Sequence, residues 1–534
     1  MSVLPGHARP KRRFVLPTRA RRHRVGARSF HQVEDTLTRD SATGGVPEDN
    51  EAGVIGWGTS WRMQGYLLMA ERTGNPVYAT RLAELIDHVL AARDEVRGVA
   101  DHGGVSAPVW STATKFTAAT ASVPDEAGEI ALEVTVCPPR ALDARVTVRP
   151  EGDEGRFTLT VAGQGRQTFT VEGLSLDPAD ERRADRVLYA AYEQRSAVTG
   201  RLVAEGERSG GRLRTGLRPD AAPPRRVQPG TYPVRPARVA LAAQTGMITY
   251  PIAGLVRLAR QDPSHKAVPP SVRARLDGYL DAVLRAVQAH DHQWQSASGR
   301  RGCYRWLPEE PVSFAGAELP TNEFLAMGRT FVHLAALTGD EEHAERAAAM
   351  AHSLRADLVR REGRQEGAAT WPYWPAFGRV HCGWTATGSP ETDGSAYRPA
   401  YAPVTAPEDV THALIDLDFL HLYHSQPAGL LPPVFDDGDL RSVAATFTRH
   451  VVEREGGTDG GSGRPRVRPR MRHDVSGGGK PGTDREQAHV AAWLPLRGWS
   501  DEVADLVHAI HPPTPPPPVM GVDTYCAALL ARWA

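Results

Sequence analysis

Apolar residues recur at helical spacing along most of the chain, and the pattern is organised in pairs of helices. Residues 57–70 and 78–92 each predict an amphipathic helix, with Thr73-Gly74-Asn75-Pro76 as the turn between them. A similar unit follows at 322–337 and 344–358, around the turn Thr338-Gly339-Asp340. Glycine relieves left-handed strain after a helix, and Asn or Asp beside it favours the start of the next one.

Further pairs fit the same template. They lie at 244–260 with 272–290, 409–424 with 439–452, and 486–493 with 501–510, and a last helix lies at 522–533. Stacked helix pairs form either an open solenoid or a closed α/α toroid. Several of the nominally inner helices are apolar all round, as buried helices are, and this favours the toroid. The predicted fold is therefore mostly α, an α/α toroid of antiparallel helix pairs with an inserted small β-rich domain.

The insertion is predicted because the spacing of apolar residues changes from the helical period to strict alternation. Residues 130–136 alternate strictly, and residues 157–161 alternate again, which is typical of strands. The predicted domains are a disordered basic leader at 1–50, a first toroid part at 51–105, the β-rich insertion at 106–235, and the rest of the toroid at 236–534 with a flexible Gly/Arg loop at 455–484.

Charge and cysteine content narrow the class of protein. The 534 residues carry 63 Lys+Arg and 63 Asp+Glu, so the net charge is zero and a general nucleic-acid binder is not expected. Nine of the basic residues lie in the first 33 positions, which contain no acid. The four cysteines form no CxxC pair, and no apolar run is long enough for a membrane span. We expect no metal, no cofactor, no membrane contact and a cytoplasmic protein, with export open if the start codon is misassigned.

The most informative stretch for chemistry is Glu408-Asp409-Val410-Thr411-His412, with Asp416 one turn later. If the helix begins at Asp409, then Asp409, His412 and Asp416 share one face. Charged side chains in so apolar a helix are costly unless they are paired or functional. Three interpretations stay open: a capped helix with internal hydrogen bonds, the lining of an active site, and a metal site, although no HExxH or other complete ligand spacing is present.

Aromatic residues and arginines supply the candidate ligand contacts. Trp371, Tyr373 and Trp374 lie in one proline-rich loop, which suits either stacking on a sugar or packing on the core. Arg62 and Arg329 could clamp a carboxylate, or could form salt bridges along a helix face. Asn322 begins a predicted inner helix, and Tyr250 is a candidate polar contact on another.

The helix turns, the aromatic loop and the Glu408–His412 stretch resemble the helical part of D-glucuronyl C5-epimerase-like proteins. More broadly, the chain is similar to α/α-toroid carbohydrate-active enzymes, over about 51–105 and 240–533. The resemblance implies a uronic acid or related sugar as substrate, and a reaction of epimerase or lyase type that begins by removing the proton α to a carboxylate. It also implies His412 or Tyr373 as the base, Glu408 or Asp409 orienting His412, and Arg62 or Arg329 on the carboxylate. The predicted substrate-binding residues are Trp371, Trp374, Arg62, Arg329, Asn322, Tyr250 and Asp416.

Three alternatives stay open. A glycoside hydrolase on the same toroid would need two opposed carboxylates, with Asp409 and either Asp416 or Glu323 as the candidates. A non-catalytic helical scaffold could bind a protein partner through the β insertion, where residues 169–178 resemble a segment of contractile tail-sheath proteins. A terpene-cyclase-like toroid would have to use the acidic cluster Asp436-Asp437-Gly438-Asp439, which is more typical of a loop or helix cap.

Overall fold

Helices make up about half of the part of the chain that the structure describes. The structure is a computed structural model, and it describes residues 19–39, 45–113, 116–137, 141–152, 155–163, 168–190, 198–202, 226–262, 264, 266–360, 367–385, 390–395, 402–454, 468–512 and 517–533. Within these residues the fold is mostly helical with several small sheets.

Eleven long helices lie in the described residues. Their bounds are Arg19–Thr38 (α1), Ser60–Thr73 (α2), Pro76–Ala91 (α3), Ala242–Gln261 (α4), Leu276–Gln288 (α5), Thr321–Thr338 (α6), Glu341–Asp357 (α7), Ala413–His424 (α8), Asp437–Thr446 (α9), Asp501–Ile510 (α10) and Gly521–Trp533 (α11). A 3₁₀ helix at His489–Gly498 follows the short helix Asp484–Ala488, and π-helical turns at Ile55–Thr59 and Phe447–Val451 flank α2 and α9. Shorter helices lie at Asp94–Arg97, Ala184–Ala190, Pro270–Arg273, Arg379–Cys382 and Pro390–Asp393.

The turn chemistry that predicted the helix pairs is present at both repeats. Gly74 ends α2 with φ 63°, and the Asn75 side chain caps α3 by accepting from the Val77 amide at 3.1 Å. Gly339 ends α6 with φ 67°, and Asp340 accepts from the Glu342 amide at 3.0 Å. Glycine reaches this left-handed backbone without strain, so each pair reverses direction within a few residues.

Six helices in the described residues contact one another in a closed circuit. In order, α2 packs on α4, α4 on α6, α6 on α8, α8 on the 3₁₀ helix, the 3₁₀ helix on α11, and α11 again on α2. A second layer packs outside: α3 on α2, α5 on α4, α7 on α6, α9 and α10 on the 3₁₀ helix, and α1 on α11. We call these two sets the inner ring and the outer layer.

Neighbouring inner helices run parallel. Thr249 Oγ1 on α4 lies 2.9 Å from Thr330 Oγ1 on α6, and further along both helices Arg260 donates to the Leu337 carbonyl at 2.7 Å. The same order holds between α2 and α11, at the pairs Trp61–Tyr525 and Glu71–Arg532. These inner helices therefore begin at one end of the ring.

A β-rich unit occupies the region predicted as an insertion. Its strands are Ala119–Pro124 (β1), Ile130–Val136 (β2), Arg145–Glu151 (β3), Arg156–Ala162 (β4), Phe169–Leu174 (β5), Val198–Leu202 (β6), Gly230–Pro233 (β7) and Arg235–Pro236 (β8). Two antiparallel four-stranded sheets result, in the orders β6-β2-β1-β8 and β5-β4-β3-β7. Alternate side chains of both sheets, such as Val134 and Leu159, form a hydrophobic core separate from that of the helices.

Four short two-stranded pairs lie outside these two sheets. They are Ser111–Thr112 with Val239–Ala240, Trp294–Ser296 with Gly302–Tyr304, Val359–Arg360 with Ala369–Thr370, and Val452–Glu453 with Arg470–Met471. The first of these pairs joins the two ends of the β-rich unit at the edge of the helical body.

Helix α1 differs from the disordered leader predicted for residues 1–50. Phe30 is fully buried and packs edge-on against Tyr66 and Tyr78, with ring centroids 5.2 and 5.8 Å apart. Glu34 forms a buried ion pair with Arg62 at 3.0 Å. Because the helix has its own apolar and polar partners, residues 29–38 belong to the folded body. Residues 1–18 lie outside the described residues.

The loop predicted as flexible at 455–484 is described only from residue 468. There Arg470–Met471 pairs with a strand, and the Gln487 side chain accepts from the Met471 amide at 2.6 Å. No helix among the described residues has the length and apolarity that crossing a membrane would require.

Candidate functional site

Three chain segments meet just before α8 and place the side chains of the predicted site. The Glu408 amide donates to the Trp371 carbonyl at 2.9 Å, and the Val475 amide donates to the Glu408 carbonyl at 2.9 Å. An isolated bridge also joins Asp409 to Asp474. The aromatic loop and residues 473–475 therefore flank the turn 408–412, which we call the Asp409 turn.

The Asp409 turn is not helical, in contrast to the predicted helix start at Asp409. Asp409 Oδ1 accepts from the Thr411 amide at 2.8 Å, from the Thr411 hydroxyl at 2.5 Å and from the His412 amide at 3.0 Å. These bonds cap the first free amides of the turn, and the Ala413 amide donates to the Asp409 carbonyl at 2.9 Å, so the turn leads directly into α8, which begins at Ala413. The helix therefore begins four residues later than predicted, and the Asp409–His412 contact still has the i, i+3 spacing that the predicted shared face requires.

Asp409 and His412 form a hydrogen-bonded pair. His412 Nδ1 lies 2.5 Å from Asp409 Oδ2, and the imidazole is 47% exposed while Asp409 is 21% exposed. Burial disfavours the imidazolium, but the hydrogen bond and charge of Asp409, with Glu323 and Asp416, outweigh it and raise the pKa of His412. Burial opposes ionisation of Asp409 as well, yet His412 holds the pKa of that carboxyl well below its usual range. The pair fixes the orientation of the His412 imidazole, and its Nε2 atom can contact an incoming ligand.

Behind this pair lies a second, fully buried carboxyl pair, Glu408 and Asp416. Glu408 Oε1 accepts from the Asp409 amide at 2.9 Å, and Asp416 Oδ2 accepts from the Trp371 indole at 2.8 Å. Their other oxygens, Glu408 Oε2 and Asp416 Oδ1, have no N–H or O–H partner among the described residues. Burial raises the pKa of both carboxyls, and the charge of Asp416 raises that of Glu408 further. A proton on Glu408 that bonds to Asp416 satisfies both oxygens.

A further acid and the Tyr373 ring border the exposed imidazole. Tyr373 packs edge-on against His412 with ring centroids 5.4 Å apart, and its carbonyl accepts from the Thr321 amide at 2.9 Å. That bond brings in the start of α6, where burial raises the pKa of Glu323 to about 7, against the opposing charge of His412. Trp374 packs on Phe314 with ring centroids 4.7 Å apart. The side chains around His412 thus combine proton-transfer groups with flat apolar surfaces.

Phe314 and Thr411 are site neighbours that the sequence prediction missed. Thr411 has a sequence signal, because an Asp followed two residues later by Thr is typical of a side-chain-stabilised turn. Phe314 has no comparable signal, since only the folded chain brings residues 311–317 beside the aromatic loop.

Both predicted carboxylate-clamping arginines are in ion pairs elsewhere. Arg62 pairs with Glu34, with exposed side-chain fractions of 7% and 5%. Arg329 is fully buried at the centre of the inner ring, where it pairs with Asp418 at 2.9 Å and donates to Gln64 at 3.0 Å. Arg329 also lies over the Tyr250 ring at 4.4 Å. Arg62 therefore contacts α1, and Arg329 contacts α2, α4 and α8, rather than His412.

Asn322 lies at the start of α6, beside Glu323. It is 1% exposed, and neither its amide nitrogen nor its amide oxygen has a hydrogen-bond partner among the described residues. An unpartnered buried amide costs free energy, which a polar ligand or water at this position would recover. Asn322 thus lies at the helix start as predicted, and its role as a substrate contact stays a prediction.

Glu408, Asp409 and His412 could also hold a metal ion. One ligand atom from each can be chosen so that all three lie within 4.8 Å of one another. Coordination would compete with the bonds that Asp409 already accepts and with the proton between Glu408 and Asp416. The donor set thus fits an acid–base cluster better than a metal centre.

Comparison with known proteins returned little. No protein-family model and no curated protein matches the chain. One solved structure with some similarity is an inactive variant of the alpha-1,6-mannanase GH76A of Salegentibacter sp. HEL1_6, in complex with alpha-1,6-mannotetrose. The two chains are 12% identical, with a TM-score of 0.30, and the similarity covers 55% of this chain and 74% of the mannanase chain.

Proposed function

We propose that the protein is a carbohydrate-active enzyme and that His412 is its acid–base group. The observation that carries this proposal is the 2.5 Å contact between Asp409 Oδ2 and His412 Nδ1, with the imidazole exposed beside Tyr373. A carboxylate that fixes the tautomer and orientation of an imidazole is a common arrangement for general acid–base catalysis. This contact favours an enzyme over the scaffold alternative, because a packing role requires no exposed, oriented imidazole.

The proposed reaction is proton abstraction of the epimerase or lyase type, on a sugar that contains a uronic acid. His412 Nε2 removes the proton α to the carboxylate, and Asp409 stabilises the imidazolium that forms. Tyr373 lies against His412 and carries a hydroxyl whose pKa burial raises, so it can supply a proton rather than accept one. Tyr373, which is half-buried beside His412, would pack against the apolar face of the sugar ring.

The contact pattern of the helices supports the finer proposal of an α/α toroid. The inner ring closes on itself, and an outer helix packs on each of its first three members. The Asp409 turn and Glu323 lie where α8 and α6 begin. Loops at one end of such a ring can surround a single ligand.

A glycoside hydrolase is the second candidate, and two observations favour it. The pKa of Glu323 is raised to about 7 whereas that of Asp409 is lowered, and a protonated acid beside an ionised carboxylate is what glycoside hydrolysis requires. Moreover, Arg62 and Arg329 are paired with Glu34 and Asp418, so neither is placed to hold a substrate carboxylate. A neutral sugar would need no such cation.

One panel of oligosaccharides separates these candidates, because each reaction leaves a different signal. An epimerase exchanges the α proton with deuterium from the solvent, a lyase yields an unsaturated product that absorbs ultraviolet light, and a hydrolase releases reducing ends. We expect turnover of a uronate-containing oligosaccharide that falls at least about a hundredfold in His412→Ala. The matched control is His88→Ala, because His88 is exposed on α3. Full turnover in a folded His412→Ala protein would overturn the proposed site.

A further inference from the structure

The loop that carries Phe314 leads into α6 and packs against the aromatic loop. It comprises residues 306–319, which we call the Phe314 loop. The Phe314 ring lies against Trp374 with ring centroids 4.7 Å apart, and Trp306 lies edge-on to the same ring at 6.1 Å. Trp374 in turn packs edge-on against Tyr373 at 5.6 Å. A contact that fixes the Phe314 loop therefore also restrains, through Trp374, the tyrosine ring beside His412.

The β-rich unit binds the Phe314 loop directly at one point. The Ala118 amide, just before β1, donates to the Pro311 carbonyl at 2.7 Å. The Ala118 carbonyl accepts from the Ala237 amide at 2.9 Å, just after β8. The place where the chain enters and leaves the β-rich unit is therefore also a point of attachment for the loop.

A second contact runs through the helix Ala184–Ala190 of the β-rich unit. Tyr189 on this helix is buried, and its hydroxyl donates to Asp393 Oδ2 at 3.0 Å and lies 3.2 Å from the Ser395 carbonyl oxygen. Asp393 and Ser395 are buried as well. Because a buried hydrogen bond to a carboxyl is costly to break, Tyr189 fixes residues 393–395 to the β-rich unit.

Residues 393–395 extend this contact to the Phe314 loop. Gly316 packs so closely against the Gly394 carbonyl that a Cβ at Gly316 would overlap with that oxygen. The φ of Gly316 is 79°, so both the backbone and the close contact require glycine. Arg379 joins the same two segments, because its side chain donates to the Gly394 carbonyl at 3.4 Å and its amide donates to Glu318 Oε2 at 2.8 Å.

We propose that the β-rich unit positions the aromatic side of the candidate site, and that Tyr189 is the positioning residue through which it acts. This inference rests on the proposed function, because it takes Tyr373 as a ligand contact. The two attachments hold the Phe314 loop on either side of Phe314, so a shift of that ring away from Trp374 strains one of them. The insertion then serves ligand binding by the helical body.

The Asp409–His412 pair has support of its own. Residues 473–475 hold the Asp409 turn through backbone hydrogen bonds of 2.9 Å, and the Asp409 carboxyl orients the imidazole. Loosening the Phe314 loop should therefore weaken the packing of Tyr373 on a sugar while the orientation and pKa of His412 stay as they are. For a turned-over substrate, the loss belongs in KM rather than in kcat or the pH profile.

Amide hydrogen exchange of the full chain, read by mass spectrometry without ligand, tests the positioning. Tyr189→Phe removes one hydroxyl and keeps the ring. We expect exchange about tenfold faster at 311–318 and a smaller increase at 371–377, with the rest of the helical body unchanged. The matched control is Tyr232→Phe, because the Tyr232 hydroxyl donates to the Gln228 carbonyl at 2.6 Å inside the β-rich unit. This control should leave both segments as in wild type.

Three results of the exchange measurement would overturn the proposal. They are unchanged exchange at 311–318 in Tyr189→Phe, a uniform increase along the whole chain, and an increase at 311–318 with none at 371–377. Gly316→Ala is an independent variant, because the added methyl pushes the loop away from the Gly394 carbonyl. It should give the same local pattern as Tyr189→Phe, and wild-type exchange in it would contradict the contact through residues 393–395.

Activity provides the second readout. On an oligosaccharide that the wild-type protein turns over, Tyr189→Phe should raise KM about threefold or more at unchanged kcat and pH profile. A fall in kcat at constant KM, or unchanged kinetics, would oppose the positioning role. Failure of every oligosaccharide to react would count against the proposed function, whereas the exchange measurement needs no substrate and still decides whether Tyr189 holds the loop.

Discussion

At the scale of single residues, the Asp409 turn contains four ionisable groups whose protonation states depend on one another. Asp409 is held ionised and its charge favours a protonated His412, whereas Glu408 and Asp416 are buried and resist ionisation. The cluster therefore keeps the Asp409 carboxylate charged near the surface and one proton between the buried Glu408 and Asp416 carboxyls. Each of these assignments can be tested without a known substrate.

The first prediction concerns the pKa of His412. In Asp409→Asn the carboxylate that favours the imidazolium is removed, so we expect this pKa to fall relative to wild type. An NMR titration of the imidazole protons of His412 in both proteins measures it. If His412 titrates unchanged in Asp409→Asn, the pair does not control the proposed base. In an activity assay of Asp409→Asn, the acidic limb of the pH–rate profile should move to lower pH, because His412 is then deprotonated at a lower pH.

The second prediction concerns the proton between Glu408 and Asp416. The folded-state pKa of Glu408 is raised above the unfolded value of about 4.3, so the native protein holds an extra proton above that pH. Its contribution to stability is therefore present at low pH and declines as pH rises, by up to about 1.4 kcal/mol per pH unit for one proton.

Glu408→Gln should make that decline shallower. Its amide oxygen can accept from the Asp409 amide, and its amide nitrogen can donate to Asp416 Oδ1, so the contacts persist without a titrating proton. Denaturant unfolding at several pH values between 5 and 8 measures the slope. Glu408→Ala, which leaves Asp416 without this partner, is the contrasting variant and should be less stable throughout. A slope identical to wild type in Glu408→Gln would show that Glu408 is ionised in the native protein.

The sequence identified most of these residues but not how they are arranged. Glu408, Asp409, His412 and Asp416 stand out because charged side chains beside an apolar helix need a reason. Their geometry was not predictable, because it depends on Trp371 and on residues 473–475, which reach the turn only through folding. Arg62 and Arg329 were predicted as ligand contacts, yet their partners Glu34 and Asp418 lie far away in the sequence.

At the scale of secondary-structure elements, close approach of the inner helices depends on small residues where they cross. Gly246 on α4 faces the backbone of Ala326 and Met327 on α6, and a Cβ there would lie inside contact distance of backbone atoms. Backbone cannot give way as a flexible side chain can, so the crossing depends on glycine.

The third prediction follows from this crossing. Gly246→Ala should lower the free energy of unfolding by about 1–3 kcal/mol or more, because the added methyl forces α4 and α6 apart. Gly278→Ala on α5 is the matched control, since a Cβ there meets nothing within 4 Å. That control should be neutral or stabilise by up to about 1 kcal/mol, because alanine favours helix more than glycine. Equal unfolding curves for the two variants would contradict the close crossing.

The helices themselves were predictable, with one exception. Period and turn residues placed the helices of both layers within a few residues of their bounds, because those signals are local. Helix α1 was missed, since the basic residues at 9–28 suggested disorder for the whole segment. The spacing of Phe30, Val33 and Leu37 was the available signal, because these positions share one helix face.

At the scale of the whole molecule, α1 packs on α11 and also supplies a charge to the inner ring. Glu34 pairs with Arg62 on α2 and accepts from the Thr524 hydroxyl on α11 at 2.5 Å. Helix α1 thereby joins the first and the last members of the ring. Its basic composition does not make it a separate leader.

The fourth prediction tests that role. Deleting residues 1–44 removes Glu34 and leaves Arg62 buried without its partner, so we expect a loss of about 3–5 kcal/mol in the free energy of unfolding. Deleting residues 1–18 is the control, because it leaves α1 and the Glu34–Arg62 pair in place, and it should cost less stability than deleting residues 1–44. Chemical denaturation followed by circular dichroism measures both. Equal stability of the two truncated proteins would remove α1 from the folded body.

The closed circuit of the inner ring also has a consequence for the order of folding. Helix α11 must contact α2, and Thr524 must meet Glu34 across 490 positions of sequence. During synthesis, the faces of α2 and α1 that these contacts cover are exposed until α11 has left the ribosome. Contacts between residues so far apart in sequence form slowly. Until they form, the ring stays open and the apolar surface of the earlier helices is accessible to chaperones.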